Sequence, residues 1–143
     1  MTSRQRAMGV HLVLFALALT STSVMAGPCE GNYGATGIPL VTGISFSSYQ
    51  DFSKVDPATA LKRMARMVKN EGYTGVKVNA AKGTIVAYQE TSGSGRAQTL
   101  KVAAKTQGNG TRAVANFSVQ AGQVAEDRAV RKGLCKIIRA AGG

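Results

Sequence analysis

Two cysteines, seven acids and one histidine are the residues of this 143-residue chain from which catalysis or metal binding could be built. Their spacing speaks against both. His11 lies within a nearly unbroken apolar run, Val10–Leu19, that reads as the core of a cleaved leader, so the chain beyond it holds no histidine. Ser-His-Asp and Cys-His arrangements, in which an imidazole takes the nucleophile's proton, are thereby excluded from the remainder. The acids are Glu30, Asp51, Asp56, Glu71, Glu90, Glu126 and Asp127. Asp56, Glu71, Glu126 and Asp127 fall at the ends of helical patterns, where carboxylates serve as caps or dipole partners. The other three are scattered, whereas a paired-carboxylate hydrolase needs two that converge. Zinc and calcium sites need clustered ligands at recognisable spacing, and none occurs. Gly93-Ser94-Gly95-Arg96 lacks the Gly-Lys-Ser/Thr ending and the strand-to-helix setting of a phosphate cradle, and reads as a hairpin connection. Serines and lysines are abundant enough to leave a Ser-Lys dyad open, although abundance alone accounts for them. The expectation is a protein that is not an enzyme and uses no cofactor and no metal.

Cys29 and Cys135 lie beyond the leader. Two cysteines in an exported chain most often pair. A bond between them would tie a glycine-rich lead-in to the last helix. A catalytic thiol is disfavoured because no histidine is at hand to activate it, although a nearby lysine could lower its pKa. Export itself is read from the first residues. Arg4 and Arg6 form a basic start, the apolar run follows, and Thr20–Ala26 ends in Val24-Met25-Ala26, as a signal peptidase requires. The run is too short for a permanent span. Gly27-Pro28 precede Cys29, so the cysteine that lipidation needs directly after the cleavage point is missing. Residues 1–26 are read as a signal peptide, 27–143 as a single domain, and the location as periplasmic. Removing Arg4 and Arg6 and no acid takes the formal charge from +11 to +9. So basic a chain attracts anionic partners, without saying which.

The elements that would position these residues follow from periodicity. Pro39 opens a first strand, Leu40–Tyr49, after an irregular lead-in over Gly27–Gly37; Gly43 within it marks a bulge or a close approach. Asp56 and Pro57 form an N-cap and first helical position, Leu61, Met64, Ala65 and Val68 form a buried stripe, and Gly72 ends the helix. Four alternating strands come next, Val76–Asn79, Thr84–Gln89, Gln98–Thr106 and Thr111–Gln120. Ala81-Lys82-Gly83, Ser92-Gly93-Ser94-Gly95 and Gly108-Asn109-Gly110 connect them. In the last strand Ala113, Ala115, Phe117 and Val119 oppose Arg112, Asn116, Ser118 and Gln120, with Val114 the exception. A final helix is expected over Val124–Ala141, with Val130, Leu134, Ile137, Ile138 and Ala141 on its stripe and Gly133 weakening it or letting it approach the sheet. The expected fold is α+β: a five-stranded, mainly antiparallel sheet with two helices on one face, in the order β-α-β-β-β-β-α.

Gly72-Tyr73 before Val76 and Val78, followed by Lys82-Gly83-Thr84-Ile85-Val86-Ala87, resembles the "helix, Gly-Tyr, strand, turn, Gly-Thr-Ile, strand" passage of helix-grip modules in small bacterial envelope proteins, including domains of outer-membrane assembly lipoproteins. The resemblance implies the same strand-and-helix layout. The lipoprotein members' anchoring cysteine has no counterpart here, so a membrane-anchored role is not implied.

One face of the sheet stands out. Lys77, Lys101, Lys105 and Arg112 fall on the strand phase opposite Val76, Val78, Leu100, Val102, Ala113 and Phe117, and Asn116 shares their phase. If both helices cover the apolar phase, these five residues are the binding candidates on an open face, where four cations repel one another and favour an anionic contact. Lys62, Arg66 and Lys69, and Arg128, Lys132, Lys136 and Arg139, form helical stripes that read as solvated surface. The function expected is non-catalytic protein binding in the periplasm. An immunity-type or inhibitor protein that neutralises a secreted toxin acting on the cell envelope, or a binder of an envelope protein, would suit the chain. The alternative is an envelope component that binds anionic glycan, lipid head group or polymer through the basic face. Nucleic acid is disfavoured by the exported location and by the few aromatics on that face. No membrane-spanning segment is expected.

Overall fold

The computed structural model describes residues 28–90 and 93–143. The expected signal peptide, residues 1–26, lies outside them. Nine elements follow in chain order: α1 (Pro28–Gly31), β1 (Gly34–Ile38), β2 (Gly43–Phe52), α2 (Pro57–Asn70), β3 (Thr74–Asn79), β4 (Thr84–Gln89), β5 (Gln98–Gln107), β6 (Gly110–Val119) and α3 (Asp127–Arg139). The strands form one antiparallel sheet in the order β1-β2-β6-β5-β4-β3.

The chain is thus α+β, but the expected count of five strands and two helices is wrong. Among the described residues the sheet has six strands, and three helices accompany it. The additional strand is β1, Gly-Ala-Thr-Gly-Ile, exposed at all five positions. A strand that buries neither face carries no period-2 signal, and it is held by its backbone ladder to β2 and by the bond from the Ile38 amide to the Thr42 hydroxyl. The additional helix, α1, is a single turn whose Cys29 is buried and disulfide-bonded to Cys135 of α3, with 5.6 Å between their Cα atoms.

Boundaries moved for identifiable reasons. Leu40 and Val41, taken for the start of a strand, are 82% and 70% exposed in the β1–β2 turn. Strand β2 runs on instead to Phe52, with Ser48 buried beneath it and donating to the Cys29 carbonyl at 2.5 Å. At the head of β2, Gly43 does mark a close approach. Its φ is +76°, and a Cβ there would stand 2.1 Å from the Val119 carbonyl oxygen. Helix α3 begins at Asp127 rather than Val124, because Glu126 caps it, accepting from the amides of Arg128 and Ala129.

Helix α2 forms where its residues require. Asp56 accepts from the Thr59 amide, Pro57 fits the first turn, and Leu61, Met64 and Val68 are buried against the sheet. Truncating Met64, which is fully buried, to alanine would cost about 2–5 kcal/mol. The core fills the layer between the helices and the inward phase of the strands: Phe46, Ile85, Ala87, Leu100, Val102, Ala113, Ala115 and Phe117 meet Leu134, Ile137 and Ile138. All three helices pack on this side of the sheet.

Candidate functional site

The other side of the sheet carries no helix among the described residues. Register places its side chains in rows, since residues directly opposite one another share a face. Lys77 pairs with Val86, Val86 with Lys101, Lys101 with Asn116, and Asn116 with Ser47. In the next row Thr84, Ala103, Val114 and Tyr49 stand side by side. A third row consists of Lys105, Arg112 and Asp51. All five candidates, Lys77, Lys101, Lys105, Arg112 and Asn116, therefore share one face drawn from three strands. With strands about 4.8 Å apart and residues rising about 3.4 Å each, Lys77 and Lys101 leave the sheet about 10 Å apart, and Lys101 and Lys105 about 14 Å apart.

The cations are not equivalent. Lys77, Lys101 and Lys105 are exposed and make no ion pair among the described residues. Arg112 is clamped: its Nε and Nη2 each donate at 2.7 Å to the two oxygens of Asp51, and its guanidinium lies 4.5 Å from the centre of the Tyr49 ring. The hydrogen bonds from Arg112 hold the Asp51 carboxyl below the usual range, and the carboxylate raises the guanidinium in turn. The expectation of four mutually repelling cations is corrected by this pair. Lys105 faces an arginine that a carboxylate already neutralises, and three free lysines remain.

Asn116 is not free either. It donates to the Ser45 hydroxyl at 2.9 Å and accepts from Ser118 at 3.0 Å, a small network across β2 and β6. Between the lysines the face is apolar and aromatic. Val86, Ala103 and Val114 are half-buried there, and Tyr49 and Tyr88 are 36% and 38% exposed at its margins. Val114, which broke the alternation of its strand, is a member of this patch. Sequence reasoning missed Asp51, Tyr49 and Tyr88 as parts of the face; pairing between residues 61 apart emerges only from register.

Some of the cations on α3 are paired. Lys136 pairs with Glu71 at 2.5 Å, Arg139 with Glu30, and Arg131 with Asp127 at 3.9 Å while lying 4.7 Å from the centre of the Tyr33 ring. Lys136 and Arg139 thereby fasten α3 to the end of α2 and to α1, whereas the pair of Arg131 lies within α3. Both cysteines are spent in the disulfide, and no group of three or more His, Cys, Asp or Glu among the described residues could hold a metal ion. No helix among the described residues is long and apolar enough to cross a membrane.

No protein-family model matches the chain, and no curated protein matches it. Among solved structures the chain is similar to the crystal structure of CalU16 from Micromonospora echinospora, with 11% identity over 77% of this chain and 79% of that one and a TM-score of 0.49. A likeness so distant carries no argument about family or activity.

Proposed function

We propose that the protein is a non-catalytic binding module of the bacterial periplasm whose uncovered sheet face docks an acidic partner protein. An immunity-type or inhibitor role against an envelope-acting toxin is the form of this reading that we favour. One observation carries it: three unpaired lysines surround an apolar centre of Val86, Ala103 and Val114, flanked by Tyr49 and Tyr88. Cations interspersed among aliphatic and aromatic residues steer and orient an anionic partner, while the apolar surface between them supplies the area that desolvates on docking. A purely electrostatic binder of glycan, head group or polymer would have no use for that apolar centre, so the protein-binding reading ranks ahead of the polymer-binding one.

The test is a photo-crosslinking residue placed at Val86 or Tyr88, with Lys62 on α2 as the control position, followed by irradiation of cells that make the protein. The expected result is one discrete protein adduct from the sheet positions and none from α2, lost when Lys101 and Lys105 are reversed to glutamate. Equal adducts from both faces, or none from the sheet, would overturn the reading; a diffuse polysaccharide adduct would favour the polymer instead.

A further inference from the structure

The helix-side layer holds a cavity of about 420 Å³ that the open face does not use. It lies under the first turns of α3, against the segment that joins α2 to β3 and the ends of β4 and β6. Phe117, Val130 and Leu134 form apolar walls, and the Tyr73 ring meets Phe117 edge-on with ring centroids 6.3 Å apart. Gly133 lines the same space. A Cβ there would meet nothing within 4 Å, so no close approach to the sheet explains this glycine. A mid-helix glycine costs about 1 kcal/mol relative to alanine, and here the missing side chain leaves part of the cavity open.

The polar groups of the lining narrow what could enter. The Tyr73 hydroxyl and the Gln89 amide have no hydrogen-bond partner among the described residues, and burial pushes the Tyr73 phenol up to about 12, so it stays a neutral donor. Glu71 is tied to Lys136, and Glu126 to the amides of its own helix. No lysine or arginine lines the cavity. An anionic head would therefore meet two lining carboxylates, one of them already paired with Lys136, and no lining cation, whereas a neutral head finds an unused donor and an unused amide. At about 420 Å³ the space falls within the range of small-molecule sites, about 300–1,000 Å³. We infer that this cavity is a binding site for a neutral amphiphile: an acyl or aromatic body against Phe117, Val130 and Leu134, with a hydroxyl, ester or amide head bonded to Tyr73 and Gln89.

The experiment titrates the whole protein with the neutral fluorophore N-phenyl-1-naphthylamine and displaces it with 1-dodecanol or, at pH 8, with dodecanoate. A saturable one-to-one signal is expected, displaced by dodecanol at least tenfold more effectively than by dodecanoate. Gly133→Leu fills the cavity and should weaken fluorophore binding tenfold or more without lowering Tm. Gly133→Ala, a milder filling that also favours the helix, should give a smaller loss and serves if the leucine variant does not fold. Tyr73→Phe should keep fluorophore binding but weaken dodecanol at least threefold. Lys101→Glu with Lys105→Glu should change none of these values, which separates this site from the open face. A non-saturating signal, displacement as effective by dodecanoate as by dodecanol, or native affinity in a folded Gly133 variant would overturn the inference.

Discussion

Reversing Lys101 and Lys105 to glutamate isolates binding from folding. The open face carries Lys77, Lys101, Lys105 and Arg112 against Asp51, and the double change turns that local balance from net positive to net negative. Folding should hardly notice. Lys101 stands opposite Val86 and Asn116, neither of them charged, and Lys105 stands opposite an arginine that already has its carboxylate. The two lysines leave the strand about 14 Å apart, beyond the screening length of about 8 Å at physiological salt, so little mutual repulsion is relieved. Surface substitutions of this kind stay within about 0.5 kcal/mol, or about 2 °C in Tm. Association should respond strongly. Each exposed lysine contributes about 0.2–1 kcal/mol to a partner carboxylate, and reversal replaces attraction with comparable repulsion. Two reversals then cost about 1–4 kcal/mol, roughly fivefold to several hundredfold in Kd, much of it in the association rate. Thermal melts and stopped-flow association with the cross-linked partner, from 50 to 500 mM NaCl, measure both. The native association rate should fall with salt and the variant's should fall much less. A loss of more than about 5 °C would make the lysines structural; unchanged rate and affinity would make the face ordinary surface.

Three further outcomes are expected. Reducing the disulfide, or replacing Cys29 and Cys135 with alanine, releases a closure across 106 residues and should destabilise the protein by about 2–5 kcal/mol in urea titrations; a loss below about 1 kcal/mol would mean that the reduced chain is already held together. Gly43→Ala, which forces a Cβ onto the Val119 carbonyl at a positive φ, should separate the head of β2 from β6 and speed amide exchange at Ser45 and Phe46 more than at Ala87; uniform exchange would refute a local effect. The hydrogen bond from Arg139 holds the Glu30 carboxyl below its ordinary value, so the stability it contributes is present above about pH 4.5 and lost as pH falls through the lowered value. Glu30→Gln should therefore flatten the acid limb of a stability–pH curve, and an unaltered limb would count against that pairing.

Legibility followed burial. Helix α2 could be read because Asp56-Pro57 announces it and its stripe at 61, 64 and 68 packs inward. Strands β4, β5 and β6 could be read because one phase of each meets the helices. Strand β1 could not, since all five of its residues are exposed and its backbone ladder to β2 defines it. Leu40 and Val41 misled because their apolar side chains sit in an exposed turn. The lysine positions of the open face followed from alternation alone. Neutralisation of Arg112 did not, because it depends on which residue of β2 faces which residue of β6, and register is a property of the folded pair.

The seam between β2 and β6 has a consequence for how the molecule is made. Ile44 pairs with Val119 and Phe52 with Thr111, so the first long strand waits for the last before its inner edge is satisfied. At 5–20 residues per second, synthesis takes about 3–12 s to travel from the end of β2 to the start of β6. During that interval the β1–β2 hairpin can close on itself, but Ile44 and Phe46 have no sheet to join and α2 has only a partial surface to rest on. Folding is therefore gated by completion of the chain, and its rate is set by a long-range closure rather than by local helix formation. The core and the bond between Cys29 and Cys135 close later still, once α3 has followed β6, because Leu134, Cys135, Ile137 and Ile138 all lie in that helix.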